Sequence, residues 1–117
     1  MHQAYTHYIF VAANPRSGDQ KAQEFLNKQR NVQCKFEEQN MRAYCHLFNV
    51  LEKDDSDRSY KMIQKTVNSY YGRAQIIIVL MGGDGGIMRA IQVLEKLVDI
   101  GKLVFVALPF GSGNDMA

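Results

Sequence analysis

One carboxylate sits among four glycines in the stretch Gly82, Gly83, Asp84, Gly85, Gly86. Glycines carry no Cβ, so their backbone N–H groups can close on an anion. The residues before the turn, Ile76 to Met81, are apolar without alternation, the pattern of a strand buried on both faces. A helical pattern begins directly after it. Strand, glycine turn and helix together bring bare amides and a positive helix N-terminus up to a phosphate. Asp84 does not suit a phosphate directly, because like charges repel. A carboxylate in a phosphate site binds Mg²⁺ or positions an attacking hydroxyl. The alternative is a tight turn in which Asp84 only caps the helix.

Two further loops carry suitable groups. Asn14, Pro15, Arg16, Ser17 and Gly18 follow the apolar run Tyr8 to Ala13, and Pro109 to Asp115 follows the run Leu103 to Leu108. Ser112, Asn114 and the amides of Gly111 and Gly113 can hold phosphate oxygens or a ribose. Asn14, Arg16 and Ser17 add donors, with Arg16 a phosphate partner. The competing reading makes both stretches surface loops and Arg16 an exposed arginine. The chain has no G-x-x-x-x-G-K-[ST] pattern, and no G-x-G-x-x-G followed by a ribose-binding acid at a strand end. No serine stands in a nucleophile elbow. His2, His7 and His46 lack ligand spacing, and His46 reads as a packed or edge histidine in a strand.

The elements that must position these loops follow from periodicity. Tyr8–Ala13 is a predicted strand, and Asp19 caps a predicted helix running to Lys28. Val32–Phe36 alternates and Ala43–Val50 is β-rich, which together predict a hairpin turning through Glu37–Asn40. Glu52–Asp57 reads as an acidic, solvated connection, with Ser56 or Asp57 as the cap of the next helix. That helix places Tyr60, Ile63, Val67 and Tyr70 on one face, with Gly72 just past its end. A strand over Gln75–Met81 follows. A helix over Ile87–Ile100 has Ile87, Ala90, Ile91, Leu94, Leu97 and Val98 in its apolar stripe, and Gly101 ends it. Leu103–Leu108 reads as a last buried strand. The order β-α-β(β)-α-β-α-β predicts a three-layer α-β-α fold with a mainly parallel sheet. In such sheets ligands bind outside the carboxyl ends of the strands, where all three loops would share one edge.

Composition bounds the rest. The chain has 117 residues, enough for one small domain, and a net charge of +2 that gives no argument for nucleic acid. Cys34 and Cys45 lack metal-ligand spacing and read as reduced thiols of a cytosolic protein. No apolar run approaches the roughly 20 residues of a membrane span.

Taken together, the three loops resemble the signatures of the diacylglycerol kinase catalytic domain, in the right order and each behind a strand. The glycine–aspartate turn alone is shared with NAD kinases and phosphofructokinases. The Asn-Pro-x-Ser-Gly opening at Asn14 and the Gly-Ser-Gly-Asn-Asp close at Gly111 narrow the resemblance to lipid kinases, and sphingosine and ceramide kinases share the general plan. The resemblance implies transfer of the γ-phosphate of ATP, with Mg²⁺, to the hydroxyl of diacylglycerol, giving phosphatidic acid. It implies that Asn14, Ser17, Gly83, Gly85, Gly111, Gly113 and Asn114 line the nucleotide site, beside Arg16, Gly82, Gly86 and Ser112. Asp84 is then the essential acid, either metal-linked or orienting the hydroxyl.

The resemblance also implies a cytoplasmic protein that meets its lipid peripherally at a membrane surface. Two departures stand out. Gly86 occupies a position where the family has Thr or Ser. Members also continue past the last motif into a second, mainly β domain, so residues 1–117 are expected to be the nucleotide-binding half, with little kinase activity alone and a tendency to self-associate through exposed apolar surface. The alternatives are an NAD kinase-like or sphingosine kinase-like phosphotransferase, and a nucleotide-binding module without catalysis.

Overall fold

A computed structural model describes residues 5–15, 27, 31–36, 39–82 and 84–109, with the backbone alone for Val32, Cys34, Phe36, Asp84, Gly85, Gly86 and Pro109. Five strands form one sheet. They are β1 (His7–Ala13), β2 (Asn31–Phe36), β3 (Met41–Asn49), β4 (Gln75–Gly82) and β5 (Val104–Pro109), in the spatial order β2-β3-β1-β4-β5. Pairings β3–β1, β1–β4 and β4–β5 are parallel, and β2 pairs antiparallel with β3. The hairpin expected over residues 32–50 is therefore present. Asn40 takes the positive φ that its turn requires, 52°. The helix expected over residues 19–28 lies, apart from Asn27, outside the described residues.

Among the described residues two helices connect parallel strands. Helix α1 (Lys53–Tyr70) joins β3 to β4, and α2 (Asp84–Leu97) joins β4 to β5. Both crossovers step in the same direction along the sheet, so right-handed connections put both helices on one face. The core sits between that face and the helices. Tyr8, Phe10 and Ala12 of β1 lie beside Ile76, Ile78 and Leu80 of β4 by register. They pack with Phe48, with Tyr60, Ile63 and Val67 of α1, and with Ala90 and Leu94 of α2. The helices are tied together where Gln64 Nε2 donates to the Leu97 carbonyl at 3.0 Å. On the opposite face Ala13 and Met81 are buried against Val11, Leu47 and Val79.

Three expectations need correction. Glu52–Asp57 is not a solvated connection, because α1 begins at Lys53. Glu52 is the N-cap by backbone geometry, without a side-chain bond, so Ser56 and Asp57 lie inside the first turn rather than capping it. Asp54 and Asp55 stand where the positive end of the helix favours acids. Asp55 is also buried, and its Oδ2 accepts a hydrogen bond from the Asn49 N–H at 2.9 Å. The carboxylate thus satisfies the backbone at the end of β3.

Helix α2 is displaced toward its N-terminus relative to the expected Ile87–Ile100. It starts at Asp84, so Gly85 and Gly86 belong to its first turn rather than to a loop. It ends at Leu97. Gly101 falls inside a separate 3₁₀ turn, Ile100–Lys102, where Asp99 Oδ1 accepts from the Gly101 N–H at 3.0 Å. Finally, β5 is not a buried strand, since Phe105 is half-buried and its neighbours in the strand are exposed. Val104, Val106 and Leu108 are 41, 40 and 39% exposed, because β5 is an edge strand and these residues share the face away from α1 and α2.

His46 is packed, as its place in a strand predicts. Its Nδ1 lies 2.6 Å from Asn31 Oδ1 and its Nε2 lies 2.9 Å from Ser59 Oγ. Asn31 Oδ1 also accepts from the Tyr44 hydroxyl at 2.9 Å. An amide oxygen only accepts, so Nδ1 donates to it, and Nε2 is hydrogen-bonded to the Ser59 hydroxyl. One histidine thereby links strand β2 to helix α1.

Candidate functional site at the carboxyl ends of the strands

The parallel registers place the ends of the strands in rows. Ala13 lies opposite both Asn49 and Met81, and Gly82 lies opposite Pro109. The carboxyl ends of β1, β4 and β5 therefore lie at the same edge of the sheet. Backbone bonds close the row: Asn14 N–H donates to the Met81 carbonyl at 3.0 Å, and Val50 N–H to the Ala13 carbonyl at 3.0 Å. Asn14 is half-buried, and Gly82 is buried at the end of β4.

Helix α2 rises from this edge. Its first residues are Asp84, Gly85 and Gly86, whose N–H groups belong to the turn that has no intrahelical acceptors. A positive helix end without Cβ bulk at Gly85 and Gly86 can receive an anion. Beneath it a small cavity of about 10 Å³ is lined by Ala12, Asn14, Val50, Met81, Ile87 and Ala90. That volume holds about one water, so the described part of the edge is a surface cradle over an apolar floor. The floor residues Val50 and Ile87 were not singled out from the sequence. Their only signal was membership of apolar patterns.

Of the residues expected at the site, Asn14 and Gly82 are described in full and stand at neighbouring strand ends. Asp84, Gly85 and Gly86 are placed by their backbone at the start of α2. Arg16, Ser17, Gly83, Gly111, Ser112, Gly113 and Asn114 lie outside the described residues. Among the described residues, no group of three or more His, Cys, Asp or Glu is arranged to hold a metal ion.

A family model of the diacylglycerol kinase catalytic domain matches residues 8–117, all but the first seven residues of the chain. The chain belongs to the diacylglycerol kinase catalytic domain family. Comparison with curated proteins and comparison with solved structures each gave no match. Family membership accounts for the α/β architecture, whose mainly parallel sheet and crossover helices are those of a three-layer α/β fold. It supports a kinase-type phosphotransferase and implies ATP and a lipid substrate. Among the described residues no helix is long and apolar enough to cross a membrane.

Proposed function

We propose that this chain supplies the ATP-binding part of a lipid kinase that converts diacylglycerol to phosphatidic acid. The observation that carries the proposal is the shared edge. Parallel registers bring the carboxyl ends of β1, β4 and β5 to one edge, beside a helix that starts at Asp84, and a turn-rich stretch of sequence follows each strand. Phosphoryl transfer asks for positioning and charge neutralisation more than for covalent chemistry. Amides of Gly83, Gly85 and Gly86 would hold the β- and γ-phosphates, and Asn14, Arg16, Ser17, Gly82, Gly111, Ser112, Gly113 and Asn114 would hold the rest of the nucleotide. The lipid hydroxyl attacks the γ-phosphorus, the bond to ADP breaks, and the hydroxyl proton leaves to base or solvent.

Mg²⁺ is commonly held by one or two carboxylates, with the nucleotide's oxygens and waters completing its shell. Asp84 is a candidate for that carboxylate at this edge, and a bound Mg²⁺ would neutralise charge on the phosphates. The alternative role for Asp84 is to orient the lipid hydroxyl. We further propose that the protein is cytoplasmic, meets its lipid peripherally at the membrane surface, and depends for full activity on a second domain that closes the site.

Thermal unfolding with and without Mg²⁺-ATP tests the nucleotide reading. A ligand that binds only the folded state stabilises it by about 2.7 kcal/mol at a hundredfold excess over Kd. The midpoint should rise in the parent protein and remain unmoved in Gly83→Ala. A rise that survives Gly83→Ala would remove the nucleotide from this turn. Labelled ATP with diacylglycerol in mixed micelles tests the acceptor. Phosphorylation of NAD instead would favour the NAD kinase-like alternative, and ATP binding without any phosphorylated acceptor would favour a nucleotide-binding module.

A further inference from the structure

The opposite edge of the sheet, where the parallel strands begin, carries a second feature. Thr6 and His7 enter β1, Gln75 enters β4 and Val104 enters β5, and the Gln75 N–H donates to the Thr6 carbonyl at 2.9 Å. An open cleft of about 540 Å³ lies here, lined by His7, Tyr71, Gly72, Arg73, Gln75 and Lys102 among others. Gly72 has a φ of +91° and nothing within 4 Å of where a Cβ would stand, so the backbone borders open space.

Two cations are held at this cleft by aromatic rings. The Arg73 guanidinium lies 5.7 Å from the centre of the Tyr70 ring, and its Nη2 donates to the Ser69 carbonyl. Tyr70 in turn stacks on buried Tyr8 at 4.8 Å, which anchors the arginine's support in the core. Lys102 Nζ lies 5.0 Å from the centre of the exposed Tyr71 ring. Such cation–π contacts orient a charge without neutralising it. Among the described residues the ion pairs are elsewhere, at Lys53–Asp57 and Arg58–Asp55. Asp99, close by in the chain, directs Oδ1 to the Gly101 N–H.

We propose that this cleft binds a phosphate-bearing ligand, with the phosphate between Arg73 and Lys102. A guanidinium fork and an ammonium are complementary to a phosphate, and among the described residues neither is paired with a carboxylate. The cleft walls at Tyr71, Leu103 and Val104 are apolar and would take the carbon part of the ligand. The seven residues of β1 separate this edge from the glycine turn by roughly 20 Å at about 3.3 Å per residue. A ligand here would not share groups with a nucleotide at the other edge, so it acts as an effector and not as a substrate. The proposal does not rest on the identity of the kinase's acceptor. The phosphate comes either from a free phosphorylated small molecule or from an anionic lipid headgroup.

Inorganic phosphate and vesicles are the two probes, both without nucleotide. Phosphate is titrated into the ¹⁵N-labelled protein while the Gly72 and Gly101 amide signals are followed. Sedimentation is measured with vesicles of phosphatidylcholine containing 20 mol% phosphatidic acid (about one lipid in five), against phosphatidylcholine alone, the content being chosen so that a few cations give measurable attraction. The variants are Arg73→Gln, Lys102→Gln and the pair, with Lys61→Gln on the exposed side of α1 as control. The singles keep the test valid if the pair fails to melt like the parent. Saturable shifts weakened at least tenfold by the Arg73 and Lys102 variants, and unchanged in Lys61→Gln, support a free phosphate. Sedimentation specific to phosphatidic acid with the same variant dependence supports a headgroup. Absence of binding to either probe, or binding that the Arg73 and Lys102 variants leave intact, overturns the proposal.

Discussion

Asp55 stands in a run of acids, Asp54, Asp55 and Asp57, that by composition belongs in solvent. Its carboxylate nevertheless lies 6% exposed and accepts the Asn49 N–H, with Arg58 Nη2 3.6 Å from its other oxygen. Removing one partner of a buried hydrogen bond leaves the other desolvated and unsatisfied, at a cost of about 1–3 kcal/mol. Asp55→Ala should therefore lower unfolding stability by that amount in denaturant titration. Asp57→Ala, which loses only an exposed contact with Lys53, should fall within about 0.5 kcal/mol of the parent. Equal effects of the two would show that burial of Asp55 does not matter. At Tyr8, burial and the neighbouring Tyr70 push the phenol up to about 12. Burial also raises the Tyr44 and Tyr60 phenols. An unfolded tyrosine ionises near pH 10, so the unfolded state loses its proton first as pH rises. The stability tied to the raised Tyr8 is present below about pH 10 and is lost on the way to about pH 12. Stability measured across that window should fall, and Tyr8→Phe should fall less steeply. A variant curve parallel to the parent's would remove Tyr8 as a source.

Helix α1 shows what an element adds to its residues. Its apolar face, Tyr60, Ile63, Val67 and Tyr70, is legible from spacing alone, and so is its stop, because Gly72 takes the left-handed backbone expected beyond a helix end. Its start is not legible, since Glu52 caps by backbone geometry without a side-chain bond, and strong cap residues downstream pull a sequence-based boundary too late. Gly72→Ala has open space around the added methyl, so any cost comes from the backbone at φ +91°. It should destabilise by about 1 kcal/mol relative to the parent, read from the denaturation midpoint. No change would mean that the chain relaxes there without loss. Helix α2 and strand β5 offer a contrast in burial. Leu94 is fully buried and Val106 is 40% exposed. Leu94→Ala should cost about 2–5 kcal/mol, while Val106→Ala should cost well under half as much. Similar losses would mean that the outer face of β5 is packed more tightly than its exposure indicates.

At the scale of the whole molecule, register is what brings the carboxyl ends of β1, β4 and β5 to one edge and leaves an open cleft at the other. Element order and the mainly parallel sheet were determined by sequence alone, because unbroken apolar runs and 3.6-residue stripes report on a few neighbouring residues at a time. The chemistry of the loops was determined in the same way: glycines, one carboxylate, and short polar side chains after strands. Only the tertiary structure decided the spatial order β2-β3-β1-β4-β5, and with it that β5 is an edge with one face open. It alone decided that Asp55 and His46 are buried, and that Arg73 and Lys102, 29 positions apart in number, line one cleft. The reason is physical. A residue's periodicity is local, whereas its burial and its neighbours across a sheet depend on which distant strand pairs with its own, and that pairing is settled by the packing of the entire core.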